Sequence, residues 1–249
     1  MTARARVLIV DDSAVMRSLL RSVVSADARL EVAGTAANGA DALEAVTRLK
    51  PDVMLLDVEM PVLDGLETLR RLQALGIRLP VIMCSAVTQR GARVTIEALA
   101  GGAADYVTKP AQQASREQAL ARLSAELVPK IHALARKPRV QAPPVGVLPR
   151  ATQCARPETA AIVAIGVSTG GPAALERVLP ALPSSFPLPI VVVQHMPDLF
   201  TRLLAERLDR GCRLRVREAA EGAPVRAGEI VIARGDWHLE LLPAALSSI

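Results

Sequence analysis

Five short apolar runs in the first 110 residues constrain this chain more than any other feature. Val7–Val10, Leu30–Ala33, Val53–Leu56, Val81–Met83 and Tyr106–Val107 have the length and composition of buried strands. Between them, Met16–Val24, Asp41–Leu49 and Leu66–Leu75 place apolar residues three and four apart, the helical spacing. Strands that alternate with helices in this way form a parallel sheet with helices on both faces. The expected fold of this part is α/β and doubly wound. Apolar residues make up 51% of the 249 and aromatic residues only 2%, so the core must be aliphatic. The same scarcity argues against nucleic-acid modules that stack bases on aromatic rings.

The net charge of +5 is unevenly spread. Residues 1–110 carry 13 basic and 13 acidic side chains, residues 161–249 carry 9 and 9, and residues 111–160 carry 8 and 3. The excess coincides with a stretch in which Pro138, Pro143, Pro144, Pro149 and Pro157 lie among Arg and Gln without periodicity. Such a stretch is a semi-rigid connector rather than a nucleic-acid surface. Ahead of it, Leu123, Leu127, Ile131 and Leu134 keep helical phase, with a kink expected at Pro129. Beyond it, Ala160–Val167 reads as a strand, followed by a Gly-rich turn and a helix over Ala173–Leu179. Pro189–Val193 reads as another strand, followed by a helix near Phe200–Leu208. The expected organisation is one domain over 1–125, a helix extension and basic linker over 126–159, and a second domain over 160–249. Cys84, Cys154 and Cys212 fit neither a disulfide framework nor a metal site. With no signal-peptide core and no run of ~18 apolar residues, a cytoplasmic protein without membrane insertion is expected.

In a doubly wound sheet, functional groups collect beyond the carboxyl ends of the strands. Asp11 and Asp12 follow the first run, Asp57 the third, Ser85 the fourth and Lys109 the fifth. Three crowded carboxylates repel one another unless a hard cation such as Mg²⁺ joins them through oxygen ligands. A phosphoryl group arriving at a carboxylate needs a metal, a cation and a hydroxyl, here Mg²⁺, Lys109 and Ser85. Each residue alone has a plainer role: Asp12 or Ser13 can cap the following helix, and Lys109 can be a solvated charge. Five of them at the ends of four strands are harder to explain that way.

Asp11-Asp12-Ser13, the run Leu56 to Gly65, Ser85-Ala86 and Val107-Thr108-Lys109-Pro110 together resemble response-regulator receiver domains, over about residues 4–125. The resemblance implies a flavodoxin-like fold with Asp57 as phospho-acceptor. It implies Mg²⁺ held by Asp12 and Asp57, with Asp11 assisting and the Glu59 backbone carbonyl ligating. It also implies that Ser85 and Tyr106 form a switch pair and that Lys109 contacts the phosphoryl group.

After the linker, Gly166-Val167-Ser168-Thr169-Gly170 matches the G-x-S-x-G pattern of a serine on a sharp strand-to-helix turn. A glycine-rich turn of this kind also binds phosphate, and Ser168 can simply cap the helix. His195 follows the next apolar strand. If the two strands are parallel neighbours, Ser168 and His195 share a rim, where a histidine can act as general base for a serine.

The stretches G-V-S-T-G-G-P, V-V-V-Q-H-M-P, Phe200–Leu208, Glu218–Gly222, Gly228–Ala233 and Gly235–Leu239 are similar to the chemotaxis methylesterase domain. A receiver joined to this domain resembles the chemotaxis protein-glutamate methylesterases. That resemblance implies a second, Rossmann-like parallel α/β domain that hydrolyses glutamyl methyl esters on chemoreceptors and deamidates receptor glutamines. Ser168 is then the nucleophile and His195 the base, with no cofactor for the ester chemistry. The implied partners are a chemotaxis histidine kinase as phosphodonor and methyl-accepting chemoreceptors as substrate, with no nucleic acid. The family completes its triad with an Asp in a Gly- and Met-rich segment that has no counterpart up to Ile249. The second domain is accordingly read as the N-terminal part of a catalytic domain, C-terminally truncated, with Asp198, Glu206, Asp209, Glu218, Glu221, Glu229, Asp236 and Glu240 unassigned. The competing reading is a phosphorylation-gated binding module or inactive paralogue.

Overall fold

A computed structural model describes residues 4–110, 115–135 and 161–242. The expected linker over 136–159 and Cys154 lie outside the described residues. Contacts divide the chain into two compact units, Met1–Ala135 with Ser168–Val178, and Arg136–Val167 with Leu179–Ile249.

The first sheet is built from β1 (Ala5–Val10), β2 (Leu30–Ala36), β3 (Val53–Asp57), β4 (Val81–Ser85) and β5 (Asp105–Thr108). All pair in parallel, in the order β2-β1-β3-β4-β5. The helices are α1 (Ala14–Ala26), α2 (Gly39–Leu49), α3 (Gly65–Ala74), α4 (Gln89–Ala100) and α5 (Arg116–Ala135). Strand order reverses between β1 and β3, which opens a crevice at their carboxyl ends. Four helices start on a polar cap: Ser13, Asn38, Asp64 and Thr88 each accept a backbone N–H with the side chain. Each such cap is worth about 1 kcal/mol. Ser13, not Asp12, therefore caps α1, which leaves the Asp12 carboxylate available to the crevice.

Several strands run past the apolar stretches that announce them. Asp57, Ser85, Asp105 and Thr108 are strand residues, and all four are buried. The apolar pattern stops where side chains turn from the core to the rim. The core joins Val7, Ile9, Val53, Leu55, Ile82 and Val107 to Leu20, Val23, Leu123, Leu127 and Ile131. Helix α5 continues through Pro129, and Leu127 and Ile131 bury themselves on either side of it.

The connection from β3 to α3 carries backbone strain. Val62 is 85% exposed with φ +68°, and the Leu63 N–H donates to the Pro61 carbonyl at 2.7 Å. This is a γ-turn of positive φ, a rare and strained conformation for a β-branched residue. It drops Leu63 into the core, where its carbonyl receives the Gly39 N–H at 3.0 Å. Gly65 then passes so close to β3 that a Cβ there would stand 2.1 Å from the Asp57 carbonyl oxygen.

The second sheet has β6 (Val163–Val167), β7 (Ile190–Gln194), β8 (Arg215–Glu218) and β9 (Glu229–Ile232), again parallel, ordered β6-β7-β9-β8. Helix α6 spans Gly171–Val178 and α7 spans Asp198–Gly211. Phe200, Leu204 and Leu208 of α7 are buried, as are Val192, Ile230 and Ile232 of the strands. Strand β8 does not show as an apolar run, because Arg215, Arg217 and Glu218 interrupt it; β9 does, as Ile230–Ala233, but was not singled out as a strand. Arg217 and Glu229 pair with each other at 3.2 Å, so the charges are matched within the sheet. Among the described residues β6 hydrogen-bonds to β7 alone.

Replacing Gly65 with Ala forces the β3–α3 connection away from Asp57. Gly65→Ala is expected to lower stability by about 1–3 kcal/mol, read as a drop in the urea midpoint with an unchanged slope.

Candidate functional site

The carboxyl ends of β1, β3, β4 and β5 bring the acidic and basic residues of the first unit together. Asp11 follows β1, Asp57 ends β3, Ser85 ends β4 and Lys109 follows β5. The Lys109 ammonium stands 2.8 Å from Asp11 Oδ2 and 2.7 Å from Asp57 Oδ2. Asp11 and Asp57 are buried, whereas Asp12 is exposed at the mouth of the pocket. Backbone donors complete the cradle: the Ser13 N–H binds Asp11 Oδ1 at 2.9 Å, and the Glu59 N–H binds the Asp57 carboxylate. The Lys109 N–H itself donates to the Ser85 carbonyl at 2.7 Å, which fixes the stem of the lysine against β4.

Burial pushes the Asp57 carboxyl up to about 6; the Lys109 hydrogen bond opposes this and the Asp11 charge adds to it. Burial works against the Lys109 charge, but the hydrogen bonds to Asp11 and Asp57 outweigh it and raise its pKa. The lysine is thus held cationic by the carboxylates it separates. Cys84 lies beneath the same pocket, fully buried, its thiol pushed far up by that burial, and is inert.

Asp11, Asp12 and Asp57 each place one carboxylate oxygen within 4.8 Å of the others. Asp11 Oδ2 is buried and receives no well-aligned hydrogen bond, although the ammonium is close. An all-oxygen donor set with a spare buried lone pair suits a hard cation such as Mg²⁺. The Glu59 side chain is not part of this group; it is exposed and pairs outward with Arg90 at 3.0 Å. Ser85 is buried and donates to the Ala86 carbonyl at 3.2 Å. Tyr106 is buried, and its ring lies 5.0 Å from the Lys130 ammonium. Lys130, which the sequence patterns did not single out, also donates to the Tyr106 carbonyl at 2.6 Å and pairs with Asp105 at 3.4 Å.

In the second sheet, β6 and β7 are parallel neighbours with Val167 opposite Gln194. Ser168 and His195, the next residues of each strand, therefore leave the sheet at the same level. The His195 N–H donates to the Val167 carbonyl at 3.1 Å, which continues the pairing. The sharp turn expected at Ser168 starts there: the Gly171 N–H returns to the Ser168 carbonyl at 2.8 Å, with Gly170 at the third position of the turn and φ +72°. The positive φ thus falls on a glycine, which adopts it without a steric cost.

The turn after His195 is clasped by residues to which the sequence reading gives no individual role. Gly235 approaches so closely that a Cβ there would stand 2.3 Å from the Met196 carbonyl oxygen. The Gly235 N–H donates to Thr201 Oγ1 at 3.0 Å, and that hydroxyl meets Glu218 Oε1 at 2.7 Å. Arg234 pairs with Asp198 at 2.7 Å and holds its carboxyl below the usual carboxylate range. These contacts explain why motif residues 218 and 234–236, far apart in sequence, all bear on the start of α7.

Comparison with known proteins bears on both rims. A family model for the response regulator receiver domain matches residues 7–121, and one for the CheB methylesterase matches residues 163–248. A protein-glutamate methylesterase/protein-glutamine glutaminase of Trichodesmium erythraeum is 44% identical over 244 residues, covering 95% of this chain and 69% of that protein. The chain belongs to this methylesterase/glutaminase family. A second family member, from Halalkalibacterium halodurans, is 46% identical over 244 residues, covering 96% and 69% of the two chains. The chain thus spans about two thirds of the length of these relatives. The crystal structure of the response regulator domain of Thermotoga maritima CheB is 40% identical and covers 53% of this chain and 96% of that one, with a TM-score of 0.48. Among the described residues no helix is long and apolar enough to cross a membrane.

An acid whose folded-state pKa is raised binds a proton more readily folded than unfolded, so stability falls as pH rises through the window between the two values. For Asp57 that window runs from the ordinary aspartate value of 3.8 to about 6. In metal-free buffer Asp57→Asn is expected to stabilise the protein by up to about 3 kcal/mol above pH 7. The gain should vanish below pH 4, as followed by urea denaturation across pH.

Proposed function

We propose that this chain is a phosphorylation-regulated chemotaxis methylesterase, with Asp57 as phospho-acceptor, Ser168 as nucleophile and His195 as general base. The reading rests on the union, in one chain, of the Asp57–Lys109 pocket with Ser168 and His195 at register-matched ends of β6 and β7. Family membership over 95% of the chain supports it.

In the first pocket an Asp57 oxygen attacks the phosphorus of a phosphodonor and the donor's leaving group departs. Lys109 neutralises charge on the incoming phosphoryl oxygens, and Ser85 lies one strand away to donate a hydrogen bond. Asp11, Asp12, Asp57 and the Glu59 carbonyl would hold Mg²⁺, which when bound offsets the negative charge of the carboxylates and the phosphoryl group. The donor class that fits is a phosphohistidine of a histidine kinase.

At the second site His195 takes the Ser168 proton as Oγ attacks the ester carbonyl of a methylated glutamate. The C–O bond to the methoxy group breaks, and His195 returns the proton so that methanol leaves. Water then attacks the acyl-serine with His195 again as base, restoring Ser168 and releasing free glutamate. The same steps on a glutamine side chain release ammonia. The proposed substrates are chemoreceptor side chains, and the proposed compartment is the cytoplasm.

Methanol release from methylated receptor membranes tests the reading, with and without acetyl phosphate. Release should rise with the phosphodonor, fall to background in Ser168→Ala, and lose its phosphodonor response in Asp57→Asn. Asp57→Asn should also take up no label from radioactive acetyl phosphate. One competing reading is a phosphorylation-gated binding module. Methanol release that Ser168→Ala leaves unchanged, with Asp57 labelling intact, decides for that module.

A further inference from the structure

The acidic turn after β1 has a partner that no motif picks out. Arg17, half-buried in α1, reaches back over the start of its own helix. Its Nη1 donates to the Asp11 carbonyl at 2.6 Å and to the Asp12 carbonyl at 2.9 Å. The same turn is tied by the Ser13 N–H on Asp11 Oδ1, by the Met16 N–H on Ser13 Oγ at 3.3 Å, and by the Asp11 N–H on the Ala36 carbonyl at 3.2 Å. Of these ties, only the guanidinium grips both residues whose carboxylates face Asp57.

We propose that Arg17 is a positioning residue for the cation pocket, holding the Asp11 and Asp12 backbone so that both carboxylates stay aimed at one point. The inference rests on the reading of that pocket as a Mg²⁺ site. Fixing a residue's carbonyl fixes its peptide plane and narrows the directions open to its side chain. Asp12 depends on this most, because it is exposed and lacks the Lys109 contact that anchors Asp11. A guanidinium is suited to the task, since it stays charged at any working pH and the two N–H bonds of Nη1, which serves both carbonyls, are fixed in one plane. Charge-assisted bonds of this kind are roughly twice as strong as neutral ones.

A second effect of Arg17 runs the other way, because a fixed positive charge near the pocket repels an entering cation. The guanidinium is spent on two carbonyl oxygens, and the pocket already tolerates the Lys109 ammonium within 2.8 Å of Asp11. Positioning should therefore outweigh repulsion. The sign of the mutational effect separates the two.

The test is Mg²⁺ binding to the full chain by titration calorimetry, at a temperature where melting curves show every variant folded. Arg17→Met keeps the aliphatic stem and removes the donors; Arg17→Lys keeps the charge on a shorter side chain without the fixed, planar pair of N–H donors. Groups that orient metal ligands from behind are worth about 10–100-fold in affinity, so Arg17→Met should bind Mg²⁺ at least about tenfold more weakly. Arg17→Lys should recover part of that loss. Affinity that is unchanged or tighter in Arg17→Met overturns the proposal, and so does full recovery in Arg17→Lys, which would make charge rather than positioning the cause. Asp12→Asn separates this from the underlying reading. Binding lost in Asp12→Asn but kept in Arg17→Met sinks only the role of Arg17. A parent chain that binds no Mg²⁺ sinks the pocket reading and the inference together.

Discussion

One half-buried ammonium group organises the carboxyl rim of the first sheet. Lys109 lies within 2.8 Å of two carboxylates, Asp11 and Asp57, that are otherwise buried side by side. Like charges so placed cannot both stay ionised without a cation, and an isolated buried charge shifts its pKa or moves to water. The lysine answers part of this: it stays cationic, while Asp57 still feels enough burial to rise to about 6. Much of the local architecture serves that contact. The order β2-β1-β3-β4-β5 puts the ends of β1 and β3 next to each other. The backbone bond from Lys109 to Ser85 then steadies the lysine from the β4 side.

The second sheet solves its positioning problem with backbone rather than charge. Ser168 and His195 owe their common level to the parallel register of β6 and β7. The loop that carries His195 is gripped by close approach, with Gly235 against the Met196 carbonyl and Thr201 between Gly235 and Glu218. A glycine at 235 is required by space and a glycine at 170 by its positive φ. Both bracket the serine and the histidine without touching the chemistry itself. A site on such a rim tolerates little: a methyl group added at 235 would collide with the turn that follows His195.

Much of this was legible in the sequence, and the gaps have physical causes. The five strands of the first sheet show as apolar runs because both faces of a parallel sheet are covered. Their polar ends at Asp57, Ser85 and Thr108 were missed as strand residues for the same reason they matter, since they face the rim and not the core. Strand β8 escaped because Arg215, Arg217 and Glu218 break its apolar pattern, and the Arg217–Glu229 match across the sheet has no one-dimensional signature. Strand β9 was legible as the run Ile230–Ala233 and was passed over. Arg17 escaped because its partners are backbone carbonyls, which have no signature in sequence. The register of β6 and β7 was posed as a condition, and the sheet supplies it. The glycine-rich turn is legible too: Ser168 is its first residue and the positive φ belongs to Gly170.

On the proposed reading, the electrostatics of the first pocket also set what phosphorylation must do. A phosphoryl group on Asp57 exchanges one carboxylate charge for about −1.5 to −2 and three strong acceptor oxygens. Lys109 is already held by Asp11 and Asp57, so it can follow the charge without leaving the pocket. The nearest uncommitted donor strength lies in Ser85, whose hydroxyl makes a long 3.2 Å bond to the next carbonyl along the chain. Trading that bond for one to a charged oxygen gains more than it loses, because bonds to ionised acceptors are about twice as strong. Tyr106 sits on the neighbouring strand, two residues before Thr108, the register partner of Ser85. Its ring is buried under a lysine that also binds its carbonyl. A rearrangement that starts at Ser85 therefore works against the Lys130 contacts before Tyr106 can move. Lys130 of α5 thus restrains Tyr106 through its ring and its carbonyl.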